Sequence, residues 1–280
     1  MNNPDWNGAN VPERVHVTRL YTAFEDTYDR GFYFDGESHP FFELVYVESG
    51  AVGAASGGDV FTLHPGQMIL HAPMVFHRIW AAQNTTPTVL IFSFSASNLT
   101  PAGGIYLLSD DNQASMRPLL AQIRAGFHIV QEYLVAGLRD DSAAALAANQ
   151  LEHLLLSVTA DAAYDARDLS VPAQHYREIM AVMDAHLHES LTVPQLAALC
   201  RMSESTLKKN VARYAGQSVM RCFTEMKIRR AAQLLAQGMR INRVADEVGF
   251  TDPNYFSTVF RRITGKAPSQ YRSEAYAHSE

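Results

Sequence analysis

Lysine is absent from the first 170 residues of this 280-residue chain. That stretch carries 8 Arg against 19 Asp and Glu, a net charge of −11, whereas residues 171–280 carry 15 Lys and Arg against 10 acids, a net +5. An acidic half joined to a basic half suggests that only one end meets a polyanion. Cysteine is scarce as well. Cys200 and Cys222 are the only two, too few to staple a secreted scaffold, and they read as free thiols of a reducing compartment. Apolar runs are short, such as Met74-Val75-Phe76 and Leu154-Leu155-Leu156. They fall far below the roughly eighteen residues of a membrane helix. The start, Met1-Asn2-Asn3-Pro4-Asp5, has neither a basic opening nor an apolar stretch, so no signal peptide is expected and a cytoplasmic location is. No nucleophile elbow, phosphate loop or zinc spacing is found, and no cofactor is implied. What is present is an ordinary globular balance, 47% hydrophobic and 19% charged, at a length that suits about two domains.

Residues 15–22, 31–35, 41–48, 59–63, 67–71 and 89–94 are rich in β-branched and aromatic residues. Turn signals separate them, among them Asp35-Gly36, Ser49-Gly50 and Pro65-Gly66, so a sandwich or barrel is expected. After Thr100-Pro101-Ala102-Gly103-Gly104 the chain turns Ala-, Leu- and Gln-rich. Within 142–159, Leu151, Leu154, Leu155 and Val158 share a helical face. That stripe suits packing within its own domain and a dimer seam equally. Residues 171–280 read as helical almost throughout, punctuated by Leu191-Thr192-Val193-Pro194, Gly216, Gly238, Gly249 and Gly265.

The most informative pattern lies in this last part. A short helix bearing Leu196, Ala197 and Leu199 is followed by a turn at Arg201-Met202, and Ser203 is placed to cap a second helix bearing Leu207 and Val211. A small residue at Ala197 lets two helices cross closely, as a helix-turn-helix requires. About fifty residues on the pattern returns: Ile241-Asn242-Arg243-Val244-Ala245-Asp246-Glu247-Val248-Gly249-Phe250, then Asp252 as a cap, Pro253 at the first helical position, and Phe256 and Phe260 four apart. A long helix over about 219–235 joins the two units. Held rigidly about 34 Å apart, two such helices would enter successive turns of the major groove.

Residues 191–272 resemble the DNA-binding domain of AraC-type transcription factors, most closely from Ile241 through Thr251-Asp252-Pro253-Asn254-Tyr255-Phe256 to Pro268-Ser269-Gln270-Tyr271-Arg272. The resemblance implies a seven-helix reader of double-stranded promoter DNA that works as a homodimer and contacts RNA polymerase. It turns Ser205, Lys208 and Lys209 of the first unit, and Asn254, Ser257 and Thr258 of the second, toward bases or phosphate, with Arg261 on phosphate. Lysine suits phosphate or guanine, and asparagine makes two bonds to adenine. Two positions depart from the family: Lys227 stands where Arg is usual, and Asn210-Val211 where two large apolar residues are usual.

Glu37-Ser38-His39-Pro40-Phe41-Phe42-Glu43 followed by Gly50, and Leu63-His64-Pro65-Gly66-Gln67 with Pro73-Met74-Val75-Phe76-His77, are similar to the two motifs of cupin barrels. AraC-type regulators often carry such a barrel as their sensor. On one strand, positions 39, 41, 43, 45 and 47 share a face, so His39 and Glu43 are expected to look inward, with His77 joining them. Such a cluster suits a ligand, a divalent metal or a satisfied structural role. Glu37 replaces the first histidine of the usual metal motif, and no metal is assigned. Alternation puts His77 and Ile79 on one face of their strand and Arg78 and Trp80 on the other.

The expected architecture is α+β and multidomain: a cupin-like effector-sensing barrel over 1–100, a helical linker and dimerisation segment over 101–170, and an all-α double helix-turn-helix domain over 171–280. The expected function is an effector-responsive, sequence-specific DNA-binding activator of catabolic genes, with no membrane role. Its effector would contact His39, Glu43 and His77, and a sugar or an aromatic acid would fit equally. The competing readings are a cupin-type metal-dependent enzyme with a DNA-binding tail, and a constitutive DNA-binding protein with a non-sensing barrel.

Overall fold

A computed structural model describes residues 15–100, 104–159, 167–168 and 170–277. The opening segment 1–14 and the expected junction at Pro101-Ala102-Gly103 lie outside the described residues, as do residues 160–166 of the expected linker.

The first part runs β1 (His16–Thr27), β2 (Phe42–Ser49), β3 (Val52–Ser56), β4 (Asp59–Leu63), β5 (Gln67–His71), β6 (His77–Ala81), β7 (Thr88–Ser97) and β8 (Ile105–Leu107). Then follow α1 (Asp110–Gly126), the hairpin β9 (Phe127–Val130) and β10 (Tyr133–Leu138), and α2 (Asp141–Thr159). The strands form an antiparallel seven-stranded sheet, β8-β5-β2-β7-β1-β10-β9, and a three-stranded one, β4-β3-β6. One core is shared by both sheets: Val45, Val47, Ile69 and Ile91 from the larger, and Val52, Ala54, Phe61, Leu63 and Ile79 from the smaller. The alternation along β2 follows from this, because its other side chains, Leu44 and Tyr46, face a second core beneath α1 and α2.

That second core settles the apolar stripe of α2. Leu151, Leu154, Leu155 and Val158 are buried with Met116, Leu119, Leu120 and Ile123 of α1 against the outer face of the large sheet. The stripe is therefore consumed within the chain. Ser109 caps α1, its side chain accepting from the Asn112 N–H, and Asp110 and Asp111 suit the positive end of the helix dipole.

Three local expectations change. Residues 31–35 form no strand, but this stretch and Glu37 just after it pair with β6 through single bridges, Tyr33 to Trp80 and Glu37 to His77. Strand β3, with its Gly53, Ala54 and Ala55, has little strand propensity. It is needed all the same, because the Trp80 ring on neighbouring β6 lies where a side chain at position 53 would be. The segment expected to be helical also contains the β9–β10 hairpin, which extends the large sheet beyond β1. Its Val130, Tyr133, Val135 and Leu138 are exposed, while Phe127, Ile129 and Leu134 on the other face are half-buried against the core beneath α1 and α2. Pairing with β1 and this partial burial together hold it as strand.

The second part is helical: α3 (Val171–Ala185), α4 (Val193–Leu199), α5 (Glu204–Ala215), α6 (Val219–Ala236), α7 (Ile241–Glu247), α8 (Pro253–Thr264) and α9 (Pro268–Ala277). Helices α4 and α5 form one helix-turn-helix, whose core also takes in α3, α6 and Ala55 and Val60 of the small sheet, and α7 and α8 form the other around a core shared with α6. The turn of the second passes through Gly249 at φ +67°, and the turn of the first through Arg201 at φ +54°. Arginine thus occupies a left-handed conformation that glycine adopts at no steric cost. The caps are as expected: Ser203 accepts from Thr206 N–H, and Asp252 from Asn254 N–H with Pro253 at the start of α8. Phe256 and Phe260 are both fully buried, ring centroids 5.7 Å apart. The connecting α6, 18 residues long, spans about 27 Å at 1.5 Å per residue.

The two departures at Asn210 and Lys227 are accommodated by hydrogen bonds. Buried Asn210 donates Nδ2 to Thr206 O at 2.9 Å. Buried Lys227 reaches from α6 to Glu189 O at 2.7 Å and Val248 O at 2.8 Å, so it ties the loop after α3 to the turn of the second unit.

Candidate functional site

Between the two sheets lies a cavity of about 310 Å³ lined by His39, Glu43 and His77 together with Phe34, Phe41 and Ile79. Glu43 is delivered by β2, opposite His71 on β5 and Ser93 on β7. Its carboxylate accepts from the Ser93 hydroxyl at 3.1 Å, which in turn accepts from Thr22 at 2.6 Å. His77 stands at the start of β6, 3.2 Å from Glu43 by Nε2. His39 approaches the same carboxylate at 3.5 Å. It does so from the bend before β2 rather than from the strand itself, because the chain breaks at Pro40-Phe41 and the strand begins only at Phe42. The expected shared face thus holds for Glu43, Val45 and Val47 and not for His39, although all three polar groups meet.

The ring orientations are fixed from behind. His39 Nδ1 lies 2.9 Å from Phe41 O, and His77 Nδ1 lies 2.9 Å from Val75 O. A carbonyl only accepts, so both Nδ1 atoms donate, and in the neutral rings both Nε2 atoms carry lone pairs toward Glu43. The Nε2 atoms of His39, His71 and His77 are buried with no partner in hydrogen-bonding geometry. The ionisation of the cluster follows. Burial raises the Glu43 pKa, but the imidazoles of His39 and His77 outweigh it and hold the carboxyl well below the usual range. Burial lowers His77, and Glu43 reverses the sign, so its pKa is raised. His71, stacked on His77 at 4.2 Å, is pushed well down by burial and by the like charge of His77. Glu37 completes the group: Glu37, His39, Glu43 and His77 each place one ligand-type atom within 4.8 Å of the others. Such a set of acceptors closes around a cation, of which a proton on His77 is the simplest.

On the opposite face of β6, Arg78 is completely buried. It donates to Phe34 O at 3.3 Å and, across the gap between the two parts, to Arg213 O at 3.1 Å and Ala212 O at 3.4 Å. These are carbonyls of the last turn of α5, where a cation meets the negative end of the helix dipole. The Tyr33 hydroxyl also donates to Arg213 O, at 2.8 Å, and the Arg78 guanidinium lies over the Tyr33 ring. Trp80 packs toward Tyr214 of α5. Nearby, Tyr176 of α3 donates to Gly57 O, and Arg177 pairs with Asp59 at 2.6 Å. Alternation on one strand thus divides its side chains between the cavity and the contact with α5.

The basic and polar residues expected to read DNA lie outside this contact. Ser205, Lys208 and Lys209 are exposed on α5, with Lys208 paired to Glu204 one turn back at 2.9 Å. Asn254, Thr258 and Arg261 are exposed on α8 and Ser257 is half-buried. The Ser257 and Thr258 hydroxyls donate to Pro253 O and Asn254 O of their own helix, leaving mainly their lone pairs for another molecule. Among the described residues no helix is long and apolar enough to cross a membrane.

Sequence reasoning missed His71, Ser93 and the docking role of Arg78. The first two depend on cross-strand register, which a single strand does not display. An arginine beside tryptophan in an apolar strand was the visible signal for the third.

Comparison with known proteins follows the same two parts. Residues 20–168 match the model of the AraC-like ligand binding domain, and residues 196–274 a helix-turn-helix domain. The chain is similar to the MmsAB operon regulatory protein of Pseudomonas aeruginosa, 36% identical over 93 residues, which is 33% of this chain and 30% of that protein. It is also similar to the HTH-type transcriptional activator RhaS of Klebsiella pneumoniae, 23% identical over 85% of this chain and 87% of that one. A crystal structure of ToxT from Vibrio cholerae aligns over 90% of this chain and 96% of its own at 13% identity, with a TM-score of 0.38. The curated relatives are transcription regulators.

Proposed function

The chain belongs to the AraC-like family of DNA-binding transcription regulators, and from that membership we propose that it is an effector-responsive activator of catabolic genes. The N-terminal part serves as sensor and residues 171–280 as DNA reader. Residues 101–170, expected to be a separate linker, also contribute to the sensor, since α1 and α2 pack on its large sheet and Glu132 lines its cavity, and this part supports a homodimer. Since the apolar stripe of α2 is buried within the chain, the dimer contact uses other residues. His39, Glu43 and His77 bind a small molecule rather than turn one over, and the bound protein recruits RNA polymerase at the promoter in the cytoplasm. Ser205, Lys208 and Lys209 on α5 and Asn254, Ser257 and Thr258 on α8 contact the duplex, with Arg261 on phosphate.

The observation that carries the reading is the sharing of β6 between cavity and reader. A ligand that moves His77 moves the backbone bearing Arg78, and Arg78 holds the C-terminal turn of α5. A small displacement at the cavity therefore reaches the helix proposed to enter the groove, through packed strand and hydrogen bonds.

The test is selection of duplexes from a random pool by the full chain, followed by transcription from a promoter carrying the selected site. The reading expects a bipartite motif whose halves lie about one helical turn apart, and raised transcription. A pool that enriches no motif contradicts it.

A further inference from the structure

The cavity is built for positive charge, and we propose that its ligand is a small molecule bearing a primary ammonium group on an apolar, ring-stacking body. This rests on the cavity being the effector site and names the effector's chemical class.

Four carboxylates line the cavity, Asp26, Glu37, Glu43 and Glu132, and its lining includes neither lysine nor arginine. The field they make is felt by their neighbours. The Tyr28 hydroxyl is pushed far up by burial and then by Asp26, Glu132 and Glu43 in turn. Glu37 is raised by burial and then by Glu43. A carboxylate ligand would add a further negative charge to this group, and a neutral sugar would leave it uncompensated.

The inner end fixes the headgroup. With both Nδ1 atoms committed to backbone carbonyls, the Nε2 atoms of His39 and His77 converge on the Glu43 carboxylate at 3.5 and 3.2 Å without hydrogen-bonding geometry. An ammonium there takes the place of the proton that Glu43 favours on His77, leaving both Nε2 atoms as acceptors. Three acceptors at one point match the three N–H donors of a primary ammonium. A quaternary ammonium has no donor and would leave them unpaired. The remaining walls are aromatic: Phe34 and Phe41 line the same space, and Tyr28 and Phe32, stacked at 3.6 Å, stand beside them. Ring faces attract cations and accept a planar apolar body. A bare metal ion would use the carboxylates and imidazoles and leave those walls without an occupant.

Calorimetric titration of the full chain tests this with 2-phenylethylamine, its N-trimethylated analogue, 2-phenylethanol, 3-phenylpropanoate and zinc chloride alone. The primary amine is expected to bind one to one, with the other organic probes at least about tenfold weaker because buried acceptors stay unpaired. Glu43→Gln should weaken the amine at least about tenfold. Because Glu43 is buried and its variant can fail to fold, Asp26→Asn with Glu132→Gln at the mouth provides a second arm and should weaken the amine at least about threefold. Equal or tighter binding of the alcohol or the carboxylate overturns the proposal. So does absence of amine binding, amine affinity unchanged in the variants, or stoichiometric zinc that excludes the amine. Duplex affinity measured with the same ligands separates the two readings. A cavity ligand of another class that shifts DNA affinity keeps the effector site and ends the ammonium assignment. An amine that binds without shifting DNA affinity does the reverse.

Discussion

His77 and Arg78 are adjacent on β6 and face opposite ways, one into the cavity beside Glu43 and the other into the last turn of α5. Each is anchored at its far end by more than one group. His77 donates Nδ1 to Val75 O and faces the Glu43 carboxylate at 3.2 Å as an ion-pair contact, and Arg78 donates to Phe34 O, Ala212 O and Arg213 O. Neither side chain has room to move alone, since both are essentially buried. The backbone between them links the cavity to the last turn of α5 with no intermediate residue.

The two recognition helices should fail differently. Lys208→Ala with Lys209→Ala should lower the slope of log affinity against log salt by up to about 2, near 0.9 for each phosphate that is no longer neutralised. Asn254→Ala should leave the slope unchanged and lose about 1–3 kcal/mol of preference for the selected site. Salt titrations on selected and scrambled duplexes measure both. Equal losses on the two duplexes for Asn254→Ala would make it a helix-start residue only.

The two turns should respond oppositely to substitution. Arg201 sits at φ +54° without benefit of glycine, so Arg201→Gly relieves about 1 kcal/mol of strain, offset by chain entropy, for a net change between about 0 and 1 kcal/mol stabilising. Gly249→Ala should cost about 2 kcal/mol or more. Its Cβ would stand 2.5 Å from His188 O and 2.8 Å from Lys227 Nζ, at φ +67°. Urea midpoints decide. A neutral Gly249→Ala would mean that the turn is looser than the packing implies.

Lys227 gives a pH signature. Burial brings it down to about 8, whereas in the unfolded chain it holds its proton to about 10.4. Between those values the unfolded state binds more protons, so stability rises with pH relative to a variant that does not titrate there. Wild type should therefore gain on Lys227→Arg between pH 7.5 and about 10 in urea melts. Parallel pH profiles would show that Lys227 keeps its proton in the fold.

Leu151→Ala should cost about 2–5 kcal/mol, as for a fully buried leucine, and leave the assembly state in light scattering unchanged. A stable, well-folded monomer produced by this substitution would return the stripe to the dimer contact.

The helical half was largely legible because its signals are local. Ser203, Asp252-Pro253 and Gly249 mark caps and turns by chemistry that acts within a few residues. Phe256 and Phe260 show their common burial by spacing alone. The sheets were less so. Gly53 belongs to a strand because Trp80 on another strand needs the room, and the β9–β10 hairpin exists because β1 offers an edge to pair with. His39 reached Glu43 by a bend that no alternation rule describes. The clustering of His39, Glu43 and His77 was anticipated, while His71 and Ser93 joined them through cross-strand register. Arg78 was correctly turned away from the cavity by alternation, but what it met there lay more than 130 residues along the chain.

Coupling through β6 is tested most directly by duplex affinity with and without the cavity ligand, in wild type and in Arg78→Met. The variant removes three donated hydrogen bonds and is expected to lose about 1–3 kcal/mol of stability, while its exposed reading residues stay in place. Wild-type affinity for the selected duplex should change when ligand saturates the cavity. In Arg78→Met the ligand should still bind with its wild-type affinity, within about threefold, and the duplex affinity should no longer respond to it. A full ligand response in the folded Arg78→Met protein would contradict the account and place the coupling elsewhere.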